Sequence, residues 1–317
     1  MKQCSLIYFF FVAALVAPSC RKEVQPEDPF AGKPVVFRAE IDPGQTETKV
    51  YATNNDNRSA PVTYQWSGSG DKVLLNVLND GSQNPRVNST YERSSGAWTS
   101  ASPITWGTTG TPHTFYGVYP AGSTNISLNE NVVEARVRTP LVPGDFTRLF
   151  MTAAKHVPEA TGEVTIPFRP FVTPIRVVFT NNKSYRVRLD WQNFSVSGYS
   201  LDDGNNLIDL PVAGNYRATI QPDGTCTFAD GDLPYDNPEN GVTVNDARTI
   251  GVGASSGFTF FILPQKYEVL RFTMYLYNYD GGSEYFSGDV DFKASDFGSA
   301  YFEPFCTHVF HIALNDN

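Results

Sequence analysis

Four histidines, His113, His156, His308 and His311, are the side chains best suited to move a proton or hold a metal ion, and their spacing points to neither task. His308 and His311 lie three apart in an alternating run, so on a strand they face opposite sides and cannot both ligate one ion. His-Glu-x-x-His and the phosphate-binding glycine loop are both missing from the sequence, which leaves no motif for a zinc hydrolase or a nucleotide site. The acidic stretch Asp223, Asp230, Asp232, Asp236 and Asp246 offers hard oxygens for calcium, but its spacing does not match an EF-hand loop and its Asp-Gly steps are ordinary turn chemistry. Carboxylate pairs for glycoside hydrolysis are made in three dimensions, and none is singled out. No catalytic residue and no metal ligand is therefore assigned. Four tryptophans remain, Trp66, Trp98, Trp106 and Trp191, whose faces could stack on sugar rings. Trp191 belongs to the apolar face of its strand and is expected in the core; the other three sit near Gly/Ser/Thr-rich turns.

The N-terminus carries an address. Lys2 precedes an uncharged run, Leu6 to Val16, which is shorter than a bilayer span and fits an export signal. The run ends in Ala17-Pro18-Ser19-Cys20, which resembles the lipobox of bacterial lipoproteins, although that pattern usually has Leu where Ala17 stands. The resemblance implies cleavage after residue 19 and a diacylglyceryl and N-acyl lipid on Cys20, with no other cofactor. Residues 20–33, with Pro26, Pro29, Glu23, Glu27 and Asp28, then read as a flexible tether. Of the four cysteines, Cys226 and Cys306 stay in the mature chain as candidates for a disulfide, two separate buried thiols being the alternative. Without Cys-x-x-Cys, zinc ribbons and thioredoxin-like redox chemistry are excluded.

Any binding surface must be positioned by strands. The chain has 317 residues, room for two cores, with 14% aromatic and 18% charged residues. Its formal net charge of −9 lacks the basic footprint of a nucleic-acid binder. Period-two alternation dominates: Val35, Phe37, Ala39 and Ile41; Val133, Ala135 and Val137; Tyr185, Val187, Leu189 and Trp191; Leu270, Phe272, Met274 and Leu276. Further strands are expected at 72–78, 114–119, 164–168, 175–180, 193–197, 216–220, 258–263, 285–292 and 307–314. Turn clusters such as Asp202-Asp203-Gly204-Asn205 separate them, which argues for β-sandwiches. Phe146 to Lys155 could be one or two helical turns or another strand. Pro158-Glu159-Ala160-Thr161-Gly162 is the best internal punctuation, giving domains at 34–160 and 161–317.

The order of landmarks resembles the fimbrillin-like proteins of Bacteroidetes, the FimA- and Mfa-type pilus subunits. They are the lipobox cysteine, the first strand Val35 to Ile41, Thr46-Glu47-Thr48-Lys49, and Trp66 with Gly70-Asp71 leading into Val73-Leu74-Leu75. Trp98, Trp106, Thr114 to Pro120, Val164 to Phe168, Ile262-Leu263-Pro264 and a terminal strand ending in Leu314 follow. The resemblance implies an all-β fold of two tandem transthyretin-like, Greek-key sandwich domains. It also implies export through the periplasm to the outer membrane and assembly with other subunits into surface fimbriae, with a host protein or glycan as adhesion target and no nucleic acid. In that family an Arg- or Lys-specific protease removes the first strand, and another subunit's strand fills the groove. Carried over, the removable strand is Pro34 to Ile41, cut after Lys49 in the loop following Pro43, with Arg58 the rival site. Because only Asn315 to Asn317 follow the last expected strand, a tip or anchor subunit that accepts a strand is favoured if that strand belongs to the core sheet, and a stalk role survives if it is detachable. A second reading, from another class, is a surface glycan-binding lipoprotein of nutrient uptake, with Trp98 and Trp106 stacking on sugar; a lipid-anchored hydrolase is a distant third.

Overall fold

A computed structural model describes residues 29–42, 48–52, 64–79, 87–107, 112–189, 194–228, 236–244, 248–281 and 285–316. Apart from two short 3-10 turns, the regular structure among them is β-strand, arranged in four sheets. The first sheet has seven strands, in the order β1 (Phe37–Ile41), β10 (Val164–Pro170), β9 (Met151–Val157), β6 (His113–Tyr119), β3 (Lys72–Asn79), β4 (Val87–Ser94) and β5 (Ala97–Thr99). Beside it lies a sheet of β16 (Cys226–Thr227), β15 (Ala213–Ile220), β8 (Val132–Val137) and β7 (Ile126–Asn129), with β17 (Asp236–Glu239) also on β15. Contacts that join this pair include Asn76 Nδ2 donating to the Glu130 carbonyl at 2.9 Å and the Thr152 hydroxyl lying 3.6 Å from Cys226 Sγ.

The other pair begins with β2 (Thr48–Ala52), β23 (Thr307–Leu314), β11 (Thr173–Asn181) and β20 (Ser255–Ile262). It faces a sheet of β14 (Leu207–Leu210), β13 (Ser195–Leu201), β21 (Val269–Asn278), β12 (Val187–Leu189) and β19 (Arg248–Ile250), to which β18 (Gly241–Thr243) and β22 (Tyr285–Lys293) are added. Phenylalanines fill the space between: the Phe310 ring lies 5.0 Å from Phe272 and 4.8 Å from Phe292, and Phe194 lies 5.3 Å from Phe258. Each such ring taken from water contributes about 1.5–3 kcal/mol.

Alternation in the sequence becomes alternation in burial. In β21, Leu270, Phe272, Met274 and Leu276 point inward while Arg271 pairs outside with Asp291 at 2.7 Å. β23 spans the stretch expected for it and is buried almost throughout, because it lies between β2 and β11, parallel to both. The ambiguous segment at 146–155 turns out to be both alternatives in succession, a 3-10 turn at Phe146–Arg148 and then β9.

Two expectations need correction. The boundary read at 160/161 falls in the turn between β9 and β10, which are hydrogen-bonded neighbours. β2 from the N-terminal part joins the second sandwich, and β15 to β17 from the C-terminal part join the first, so the chain is interlaced. Lys49, expected in a loop, lies within β2, where Thr48 and Lys49 are in register with Thr307 and His308.

Gly198, in β13, shows how tightly the second sandwich is filled. A Cβ there would overlap the ring edge of Tyr267, a fully buried side chain whose hydroxyl donates to the Pro211 carbonyl at 2.9 Å. The ring is held at both ends and cannot yield. Gly198→Ala is expected to lower stability by about 1–3 kcal/mol, the usual cost of overpacking. Urea denaturation reads this as a lower midpoint at constant slope, and an unchanged midpoint would contradict it.

Candidate functional site

β1 is an edge strand held mainly by its side chains. Val35, Phe37 and Ala39 are buried, whereas Val36 is 55% exposed and Arg38 and Glu40 form an outer ion pair at 2.8 Å. Five residues of β1 run parallel to β10, from Phe37 opposite Val164 to Ile41 opposite Phe168. Just upstream the opposite edge is also occupied: Val35 N donates to the Ile104 carbonyl at 2.8 Å, and Trp106 N to the Lys33 carbonyl at 3.0 Å. Beyond Val35 that second ladder stops, and the outer edge of β1 opens toward the β4–β5 hairpin.

The hairpin comes close because the seven-stranded sheet curls until its two ends meet. The Phe37 ring lies 4.7 Å from Tyr91 and 5.9 Å from Trp98, and the Tyr91 hydroxyl accepts from Ile104 N at 2.8 Å. Above this contact is a cleft of about 450 Å³ lined by Ala39, Ile41, Tyr64, Trp66, Arg93 and Trp98. A second cavity of about 290 Å³ adjoins it across Ile41, Tyr64 and Trp66 and reaches Asp71 and Tyr119. Trp66 is the hinge of this wall, meeting Trp98 at 5.2 Å and Tyr119 at 5.3 Å, both edge-on.

Polar groups around the cleft are mostly answered. Asp71 accepts from Ser67 N at 2.5 Å and from the Tyr119 hydroxyl at 3.1 Å. Burial, and then the Asp71 charge, push the Tyr119 phenol well above its ordinary range. The Tyr64 hydroxyl is 3.1 Å from Thr307 Oγ1, and burial raises its pKa to about 12. Neither phenol is a base at neutral pH.

The remaining sequence candidates do not converge on it. Cys20, Arg58 and Trp191 lie outside the described residues. Trp106 is 2% exposed and packs against His113 and Phe115, which removes it from any sugar platform; Trp98 and Trp66 are half-buried at the cleft. Cys226 and Cys306 are half-buried thiols with no disulfide between them, so the candidate bridge is not formed. Burial lifts the Cys226 thiol to about 11, which makes it a poor nucleophile. His308 Nε2 lies 2.8 Å from the Glu303 carbonyl in the core. Asp223 accepts from Thr225 N and Oγ1 within its own turn, and Asp230, Asp232 and Asp246 are outside the described residues. No cluster of three or more His, Cys, Asp or Glu that could hold a metal occurs among the described residues. The sequence reading missed Arg93, which belongs to no motif and joins the cleft from β4.

A family model described as fimbrillin-like matches residues 48–301. No curated protein matches the sequence. Among solved structures, a candidate cell adhesion protein from Bacteroides ovatus superposes with a TM-score of 0.50 at 12% identity, covering 90% of this chain and 93% of its own. Another candidate cell adhesion protein, from Bacteroides uniformis, gives 0.53 at 14% identity over 79% and 88%. At these identities the likeness is one of fold.

Proposed function

The chain belongs to the fimbrillin-like family, and from that premise we propose that it is a structural and adhesive subunit of a surface fimbria, assembled by strand exchange at the β1 groove. It is exported with its signal peptide, carried to the outer membrane on the lipid of Cys20, and joined to other fimbrial subunits rather than acting on a substrate. One observation carries the assembly step: β1 is an edge strand whose inward side chains, Phe37 and Ala39, together with Val35 just before it, are buried, and Phe37 packs on Tyr91 and Trp98. Removing such a strand uncovers apolar pockets and the free edge of β10, which another extended segment of alternating pattern can occupy.

The processing sites are unequal. Lys49 lies inside β2, so a protease that cuts after it must first peel β2 from β23; extended, accessible backbone is what proteases require. Arg58 is the second candidate.

Intact mass and N-terminal sequencing of the protein taken from purified fimbriae test the reading. A chain beginning at Val50, or after Arg58, is the expected product of maturation. A polymerised chain that still begins at lipidated Cys20 would overturn removal of β1 and make this an uncut anchor. A monomeric surface protein turning over a substrate would overturn the fimbrial reading altogether.

A further inference from the structure

Charges of both signs line the paired cavities beside β1, and all but one are answered nearby. Arg38 pairs with Glu40, and Asp71 is satisfied by Ser67 and Tyr119. Arg93 has no acidic partner among the described residues: its Nε is buried without a hydrogen-bond acceptor, and its guanidinium carbon lies 5.8 Å from the centre of the Trp98 ring. Arginine stays protonated at any pH the protein meets, and a buried N–H with nothing to donate to is costly. The Trp66 indole Nε1 beside it is also buried without an acceptor among the described residues.

These two donors describe chemically the ligand that the cleft would take. It must bring an anion shaped for a guanidinium fork, which a planar carboxylate supplies through two parallel hydrogen bonds. It must also present a flat C–H face to the two indoles, which stand at 87° and form a corner. A cavity of about 450 Å³, extended by about 290 Å³, suits one or two sugar rings. We propose that this cleft binds a carboxylated sugar, with its carboxylate on Arg93 and its ring seated in the corner of Trp66 and Trp98. Ala39 and Ile41 of β1 form one wall of the cleft, so the site exists in the subunit that keeps its first strand. The proposal does not rest on strand exchange, and each can fail alone.

The test uses the full mature chain, residues 20–317, titrated by calorimetry and tryptophan fluorescence. The probes are sialyllactose, a glucuronic-acid disaccharide, lactose and an aspartate-rich peptide. At least one acidic sugar is expected to bind tenfold or more tighter than lactose, and which of the two binds identifies the source of the acid. Arg93→Ala is expected to abolish that margin, and Arg93→Lys to keep only part of it, since a lysine is a point charge without the fork. Should Arg93→Ala melt early, Arg93→Lys and the loss of the margin in about 0.5 M salt, where exposed charges are screened, carry the test. Equal affinity for acidic and neutral sugars, an unchanged margin in both Arg93 variants, tighter binding of the peptide, or no binding of any probe would each overturn the assignment.

Discussion

A chain that begins at Asp42, without β1, is expected to be less stable than the intact protein by about 5 kcal/mol. Phe37 and Val35 are each about 5% exposed, and each loses about 1.5–3 kcal/mol of burial when the strand is absent. The parallel ladder to β10 adds hydrogen bonds of about 1 kcal/mol net apiece. Against a total domain stability of about 5–15 kcal/mol, that loss leaves the first sandwich marginal or unfolded at body temperature. A peptide spanning residues 34–41 is expected to restore the melting temperature, and the same peptide with Phe37→Ala is expected to fail. This is the behaviour of an acceptor groove, which must be occupied by some strand though not by one particular covalent partner. Equal melting of the truncated and intact chains would show that β1 is ornamental to the fold and would remove the basis for strand exchange.

Alkali is expected to unfold the protein between about pH 10 and 12. Tyr216 and Tyr267 are fully buried and held well above the ordinary phenol range by desolvation. Tyr64 is raised to about 12 and Cys226 to about 11 for the same reason. A folded-state pKa above the unfolded value means that the folded chain holds its proton more tightly. The associated stability is present in full below the unfolded pKa and is lost as pH rises through the folded one. Each group forfeits about 1.4 kcal/mol per pH unit across its window, and four such groups acting together weigh heavily against a total stability of about 5–15 kcal/mol. Tyrosinate absorbance and far-ultraviolet circular dichroism should therefore change together in one steep transition. Ionisation near pH 10 with the strands intact would show that these side chains meet solvent.

How far the sequence announced this structure depended on whether a strand had one wet face and one dry. β21 and β1 did, and their alternation is read directly from Leu270 to Leu276 and from Val35 to Ile41. β4 carries Asn88, Ser89, Thr90 and Glu92 at the rim of its sheet, so its polar pattern resembled a loop. β2 is short and follows a threonine-rich stretch, and nothing local says that it pairs with a strand more than 250 positions away. Trp106 looked like a turn residue because its neighbours are Gly107, Thr108 and Thr109, yet pairing of Gly32 and Lys33 with its backbone draws it into the core. The cleft was hidden for a different reason. Its walls come from β1, residues 64–66 and the β4–β5 hairpin, which meet only because the sheet curls end to end. Composition supplied the tryptophans and the arginine; their proximity is a property of topology alone.

The interlacing of the two sandwiches bears on how such a chain can change over generations. A protein whose halves are each complete can exchange one by recombination at a linker. Here a crossover in the gene near codon 160 would give a first half without β10 and β15 to β17, and a second half without β2. Both products would carry open sheet edges and half-filled cores. Inheritance of the body is thus all or nothing, and diversification is confined to turns, to rim strands such as β4 and β5, and to the lining of the cleft between them and β1.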